Sequence, residues 1–325
     1  MRHEAIDTFD LAAIVPGFRA PPQMQTTPDV SELARAHERS RHWTSPLAGP
    51  LQPGTDRHRD ETCRMFRDTF NPYRPAVLAW PQLDASTLRR IVALPIWDIA
   101  VQTESKARLR MAAYAGTLDV PPMRHALALN AWEESRHKDV LARMLATYGI
   151  PLATAPPCAW PRDPEWAYLV TGYSECIDSF FAFGLFEAAR RSGLFPQELV
   201  DTFEPVMQEE CRHILLFANW AAWHRARLPW WRRLRFEAKV LAVWCLLGWE
   251  RIGLARSIGG GRQDNNFTVS GAQSVTDHGI GIRDLMDLCL RENVRRFAGY
   301  DQRLLRPTTM PALVRLALRL TRTRR

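Results

Sequence analysis

From Trp97 onward the apolar residues recur at the three-and-four spacing of amphipathic helices, and glycine or proline punctuates each run. The pattern predicts four long helices. The first covers 97–115 and ends at Gly116, and the second covers 123–148 and stops at Gly149-Ile150-Pro151. The third covers 164–192 before Gly193, and the fourth covers 196–227 before Pro229. Between the second and third, the segment 151–164 contains five prolines and cannot be helical. Short connections within each pair and a longer one between pairs are what a bundle with one crossover requires.

The flanks read differently. Residues 1–55 are rich in Pro, Ser, Thr and Gly with little periodicity, which predicts an extended arm with one short helix near 30–42. A helix is expected over 57–70, a proline-broken stretch over 71–81, and a short helix from an Asp84 N-cap to Pro95. Beyond the bundle come a fifth helix at 230–256, a break at Gly259-Gly260-Gly261, an Asn-Asn-Phe-Thr-Val-Ser-Gly segment, and helices near 281–298 and 309–322. The expected organisation is an all-α chain: an N-terminal arm (1–83), a four-helix bundle (84–228) and a basic helical extension packed on the bundle (229–325).

On this framework one motif stands out. Glu-Glu-x-Arg-His occurs at 133–137 and again at 209–213, each time inside a long helix. A carboxylate and an imidazole three apart lie one turn from each other on one helical face, about 5–6 Å apart. Glu134 and His137 fall on the apolar stripe of Leu127, Ala131, Leu141 and Met144. Glu210 and His213 fall on that of Phe203, Val206, Ile214 and Phe217. Buried carboxylates cost several kcal/mol each unless their charge is compensated. Two divalent metal ions balance four of them.

Two further carboxylates complete that set. Glu104 lies 30 residues before Glu134 and about as far from the intervening turn, so the hairpin brings the two to one level. On the third helix Glu175 matches the level of Glu210 across its turn, with Glu187 and Asp178 as alternatives; Glu187 would sit some three turns away. A single E-x-x-H is commonly a solvated charged face, but two matched copies on apolar stripes are not. The two histidines spaced i, i+4 that a zinc protease needs are absent. Glu133 and Glu209 are placed to accept hydrogen bonds from the outer nitrogen of the histidine across the bundle, with Arg136 and Arg212 clamping those carboxylates bidentately; the competing reading is ion pairing on the helix flank.

Composition adds limits. Six scattered cysteines with no C-x-x-C pair fit a reducing compartment and exclude an appended rubredoxin-like or zinc-ribbon module. No secretory signal is apparent, and the longest apolar run, 240–249, is too short to cross a bilayer, so a soluble cytoplasmic protein is expected. Charge is uneven: residues 1–214 hold 23 Lys+Arg against 27 Asp+Glu, and residues 215–325 hold 20 against 8. The basic part suits an acidic partner, an anionic membrane surface, or only a solvated face. In Trp230-Trp231-Arg232-Arg233-Leu234-Arg235 the same choice recurs, between an interfacial helix and a helix packed over the bundle with its arginines in water; the second is preferred. No nucleic-acid-binding module accompanies the charge.

The doubled motif with its preceding glutamates resembles the ferritin-like superfamily of carboxylate-bridged di-iron proteins, in its dioxygen-activating branch, over roughly residues 97–225. The resemblance implies that Glu104, Glu134, His137, Glu175, Glu210 and His213 are the catalytic and metal-ligating residues of two iron ions, with manganese as the alternative. Dioxygen would be the co-substrate. It implies hydroxylation, desaturation or N-oxidation of a small apolar or acyl-type substrate, free or carrier-bound, with electrons from an external reductase or ferredoxin. A homodimer is expected. The N-oxygenase branch carries an extra histidine one turn before the last E-x-x-H, where this chain has Val206, which weakens that assignment. Phe180, Phe181, Phe183, Phe186, Phe217 and Trp220 are either lining for an apolar pocket or simply core. A ferroxidase like ferritin is the alternative enzyme, and a membrane-surface helical protein the alternative without catalysis.

Overall fold

A computed structural model describes residues 10–21, 29–73, 80–93, 97–151, 158–193, 195–257 and 281–322. All regular structure among them is helical: α1 (Leu11–Ile14), α2 (Val30–Arg41), α3 (Asp56–Asp68), α4 (Ala85–Val92), α5 (Trp97–Ala115), α6 (Pro121–Thr147), α7 (Pro164–Ser192), α8 (Gln197–Arg227), α9 (Trp230–Ser257), α10 (Ile282–Phe297) and α11 (Thr309–Arg322). The glycine-rich break at 259–261 and the Asn-Asn-Phe-Thr-Val-Ser-Gly segment lie outside the described residues.

Local chemistry sets the helix ends. Asp84 caps α4 by accepting from the backbone N–H groups of Ser86 and Thr87, and Asp163 caps α7 by accepting from Trp166. α6 opens on Pro121-Pro122, whose missing N–H groups would have been unpaired there anyway. Gly193 ends α7 at φ +66°, the left-handed conformation that favours glycine. α8 continues through Pro205, which costs the carbonyl of Asp201 its partner; Asp201 is exposed, so water can serve instead.

α5 to α8 close a ring of contacts, α5 on α6 and α7, and α8 on α6 and α7. α3 packs across α6 and α8 on one side of this ring. α9, α10 and α11 pack against α7. The α7–α10 approach is close because of Gly184, where an added Cβ would lie 2.3 Å from Cys289 Sγ and 2.8 Å from its Cα and backbone nitrogen.

The N-terminal arm is more structured than its sequence implies. α1 was not foreseen, and Leu11, Val15, Phe18 and Trp43 are buried in the same core cluster as α5 to α8. A clasp fixes the arm. Trp43 donates its N–H to the Gly299 carbonyl at 3.0 Å, and Asp301 returns one to Trp43 at 2.8 Å. Asp301 also accepts from the Ser45 N–H at 3.0 Å, and Tyr300 donates its hydroxyl to the Ser40 carbonyl at 2.5 Å. Proline and serine content signalled irregular backbone; it did not signal that the backbone's hydrogen bonds are made to a segment 256 residues away.

Gly184→Ala should destabilise the protein by about 1–3 kcal/mol through overpacking, against the gain of up to about 1 kcal/mol that alanine gives in an unconstrained helix. Urea unfolding checks this, and a neutral or stabilising change would contradict the α7–α10 packing.

Candidate metal centre

α6 and α8 each present a Glu-Glu-x-Arg-His motif to the interior, and their side chains cross over. His137 of α6 places its Nε2 2.8 Å from Glu209 Oε2 on α8, and His213 of α8 places its Nε2 2.9 Å from Glu133 Oε2 on α6. A carboxylate at Nε2 holds the proton there and turns the Nδ1 lone pair inward. The two rings lie 5.4 Å apart between centroids. Inside them, His213 Nδ1 is 2.7 Å from Glu134 Oε1, and His137 Nδ1 is 3.1 Å from Glu210 Oε1. Donor atoms of Glu134, His137, Glu210 and His213 all lie within 4.8 Å of one another, a group that could hold a metal ion.

Glu104, on α5, reaches the same level, with Oε2 3.8 Å from His137 Nδ1. Of the three candidates on α7, Glu175 is the one that feels the charges of Glu134 and Glu210. Glu187 instead accepts from Arg190 and Arg191, both at 2.6 Å, and Asp178 accepts from Arg251 at 2.7 Å and Ser174 at 2.8 Å. Ser179 donates to Glu210 at 3.4 Å.

The arginines act differently from the bidentate clamp that the sequence suggested. Arg212 gives only Nη1 to Glu133, at 2.7 Å; its Nε goes to Thr69 Oγ1 at 2.8 Å and its Nη2 to the Phe66 carbonyl. Arg136 gives Nη2 to Glu209 and Nη1 to the Asn71 carbonyl at 2.6 Å. Both guanidinium groups are fully buried and rest on aromatic rings, Arg212 on Phe66 at 4.5 Å and Arg136 on Phe70 and Trp132 at 5.2 Å. The end of α3 and the residues after it thus tie the motif arginines down, a role that sequence reading missed. The signal available was weak: Thr69 and Asn71 follow Arg67 and Asp68 and precede Pro72, where polar residues commonly mark only a helix end.

Electrostatics follow from this crowding. Burial, with repulsion from Glu134 and Glu210, pushes the carboxyls of Glu104 and Glu175 well above the usual range, and protonated Glu104 hydrogen-bonds to Glu134. Burial acts oppositely on the imidazoles but is outweighed. Glu209, Glu210 and Glu134 push His137 well up, and Glu134 with Glu133 pushes His213 to about 10. Burial opposes ionisation of Glu133, yet Arg212 and His213 overcome it and hold this carboxyl down at about 2.

The donor set fits divalent metal. Both Glu175 oxygens are buried without a hydrogen-bond partner among the described residues, and the Nδ1 atoms of His137 and His213 face the same interior with only the carboxylates of Glu210 and Glu134 beside them. Such atoms are costly to bury unless something else binds them. Carboxylate oxygens with two imidazole nitrogens, one Glu from each of two helices and Glu-x-x-His from each of two more, suit iron or manganese.

A cavity of about 1240 Å³ reaches this cluster and is lined by Glu104, Glu134, His137, Glu175 and Glu210. Towards the N-terminal half of α8 its wall is apolar, with Met144, Phe186, Leu199, Phe203 and Val206. Towards the N-terminal half of α7 it is polar, with Arg110, Thr171, Ser174 and Arg251. Of the six aromatics considered from sequence, only Phe186 lines it. Phe180 and Phe183 are core, and Phe217 and Trp220 pack edge-to-face with Tyr168 and Tyr114 in an aromatic cluster. No family model, characterised protein or solved structure matches the chain.

Two outcomes are expected. Arg212→Met leaves Glu133 buried against one base fewer and should cost about 3–5 kcal/mol in urea unfolding, partly recovered by adding Glu133→Gln. Loading with Mn²⁺ near pH 7 should release protons, because Glu104, Glu175, His137 and His213 hold protons that must leave their metal-facing atoms. Their raised values mean that protons compete at neutral pH, so affinity rises as pH rises. Calorimetry in buffers of different ionisation enthalpy measures the release, and none would contradict the protonation described.

Proposed function

We propose that this chain is a dioxygen-activating di-iron oxygenase or oxidase of the ferritin-like, carboxylate-bridged kind, acting on a largely apolar organic substrate. The observation that carries the reading is the junction of two features: the group of Glu134, His137, Glu210 and His213, flanked by Glu104 and Glu175, and a large cavity with an apolar end that opens onto it. Iron bound there supplies the redox chemistry, reducing dioxygen with electrons from an external donor and oxidising the substrate.

The residues of the chain supply the rest. Glu209 and Glu133 hold the outer imidazole protons, which keeps both Nδ1 lone pairs aimed at the interior. Burial holds the Glu104 and Glu175 carboxyls towards their protonated forms, so their negative charge develops as positive charge enters. Met144, Leu199, Phe203 and Val206 bind apolar substrate and exclude water from the cavity beside Glu210. Val206 occupies the place where the N-oxygenase branch has a further nitrogen donor, which favours carbon oxidation over N-oxidation.

Metal analysis after anaerobic loading with Fe²⁺ should find two ions per chain, and bound iron should raise the melting temperature, by mass action about 4 kcal/mol of stability at a thousandfold excess over Kd. Glu134→Ala should lose that iron and its spectral response to dioxygen, and its ion-free form should melt lower than the parent because His213 loses the carboxylate 2.7 Å from its Nδ1. Wild-type iron content in this variant removes the assignment of Glu134. Continuous ferrous oxidation with mineral formation, in the absence of any organic substrate, would point to iron storage instead.

A further inference from the structure

α9 has two apolar faces, and the fold uses one. Phe236, Val243 and Leu247 are buried, and α9 packs against α7. The opposite face points into solvent: Trp231 is 58% exposed, Leu234 63%, Leu241 65% and Trp249 75%. Ala238, Ala242 and Cys245, also exposed, fill the positions between them. At 3.6 residues per turn these seven fall within an arc of about 100° and run about 27 Å along the helix. A helix that served only to cover the bundle would need one such stripe.

Tryptophans stand at both ends of the outer stripe, and Trp230, 72% exposed, extends it. Unneutralised cations sit beside its N-terminal end. Arg225, Arg233, Lys239 and Arg251 have carboxylate partners, whereas Arg232 and Arg235 have none among the described residues. α11 repeats the combination, with Leu313, Leu316 and Leu320 exposed at i, i+3 and i+7 (51%, 52% and 60%) and Arg315 and Arg319 likewise without a carboxylate among the described residues.

We propose that the outer face of α9 docks this protein on an anionic lipid bilayer, with the helix lying in the headgroup plane. Tryptophan rings favour that depth, the leucines between them enter the acyl boundary, and arginine stems let the guanidinium groups rise to lipid phosphates. No described helix is long and apolar enough to cross a membrane, so the contact is one of lying on the surface. A second copy of the chain could cover the same stripe, but the one acid of α9 it could bring that has no ion-pair partner among the described residues, Glu250, would offset at most one of Arg232 and Arg235. The acids of α9 are Glu237, already paired with Arg225, and Glu250. Charge complementarity therefore selects the lipid. α9 also contributes Leu246, Leu247, Glu250 and Arg251 to the wall of the cavity, so docking sets part of that wall beside the lipid surface. The inference uses surface side chains alone and stands or falls separately from the metal reading.

The test is co-sedimentation of the full-length protein with vesicles of phosphatidylcholine alone and of phosphatidylcholine containing roughly one-third phosphatidylglycerol. Binding is expected to the anionic vesicles and to fall steeply with added salt. Arg232→Glu with Arg235→Glu should weaken it at least about tenfold, as should Trp231→Ser with Leu241→Ser and Trp249→Ser. All five side chains are exposed, so helicity and melting temperature should match the parent; a third variant, Leu234→Ser alone, covers the case in which a combination fails to fold. Binding to neither vesicle, or equal binding to both, overturns the proposal. So does a sedimentation-velocity result in which the apolar variants convert a dimer to a monomer while vesicle binding is unchanged.

Discussion

The burial of charge between α6 and α8 is the constraint on which this structure turns. Six carboxyl groups, Glu104, Glu133, Glu134, Glu175, Glu209 and Glu210, share the interior with two guanidinium and two imidazole groups. Six acids against four bases leave two acids over. Those two are Glu104 and Glu175, which have no base at hydrogen-bond distance among the described residues and whose protonated forms burial favours. The carboxylates around them favour protonated imidazoles at His137 and His213, so protons offset part of the crowded negative charge. Divalent cations that enter displace such protons, which limits the change in charge. A low-dielectric interior tolerates such an exchange, whereas it would resist any loading that changed its charge.

That balance explains why α3 matters. Arg136 and Arg212 supply the permanent positive charge, and a buried guanidinium costs less the more of its donors are satisfied. α6 and α8 offer each guanidinium a single carboxylate oxygen at hydrogen-bond distance; the Phe66 carbonyl and Thr69 hydroxyl take further donors of Arg212, and the Asn71 carbonyl takes one of Arg136, whose Nε has no partner among the described residues. α3 in turn is held near the clasp that joins the N-terminal arm to residues 299–303, since Ser45 bonds both Glu61 of α3 and Asp301. Segments far apart in sequence thereby support one cluster of buried charge.

How much of this was legible depended on whether the signal was local. Helix bounds for α5 to α9 were readable within about two residues because glycine and proline end each apolar repeat. The crossed Glu133–His213 and Glu209–His137 pairs were readable too, because the motif is doubled and its residues sit on the stripes that must face each other. Glu175 could be placed only by counting turns, since nothing in its neighbourhood marks it, and Asp178 one turn away resembles it until Arg251 is seen to occupy it. The division of the arginine donors and the folding-in of the arm were not readable at all. Both depend on contacts across 65 to 260 residues, and neither leaves a periodic trace.

The duplicated motif is symmetric, but its surroundings are not. On the side of α3 the centre is sealed: Glu133, Glu209, Arg136, Arg212 and His213 take no part in lining the cavity, and Phe66 lies against His213 with ring centroids 6.0 Å apart. On the side of α5 and α7 it is open, through Glu104, Glu134, His137, Glu175 and Glu210. Equivalent residues of the two motifs therefore meet different environments, His137 at the cavity wall and His213 behind it. Anything that reaches the centre through this cavity meets the carboxyls of α5 and α7 on the way, the two that are protonated when the centre is empty of cations. Symmetry of ligands sets the charge balance; asymmetry of packing decides from which direction chemistry can be approached.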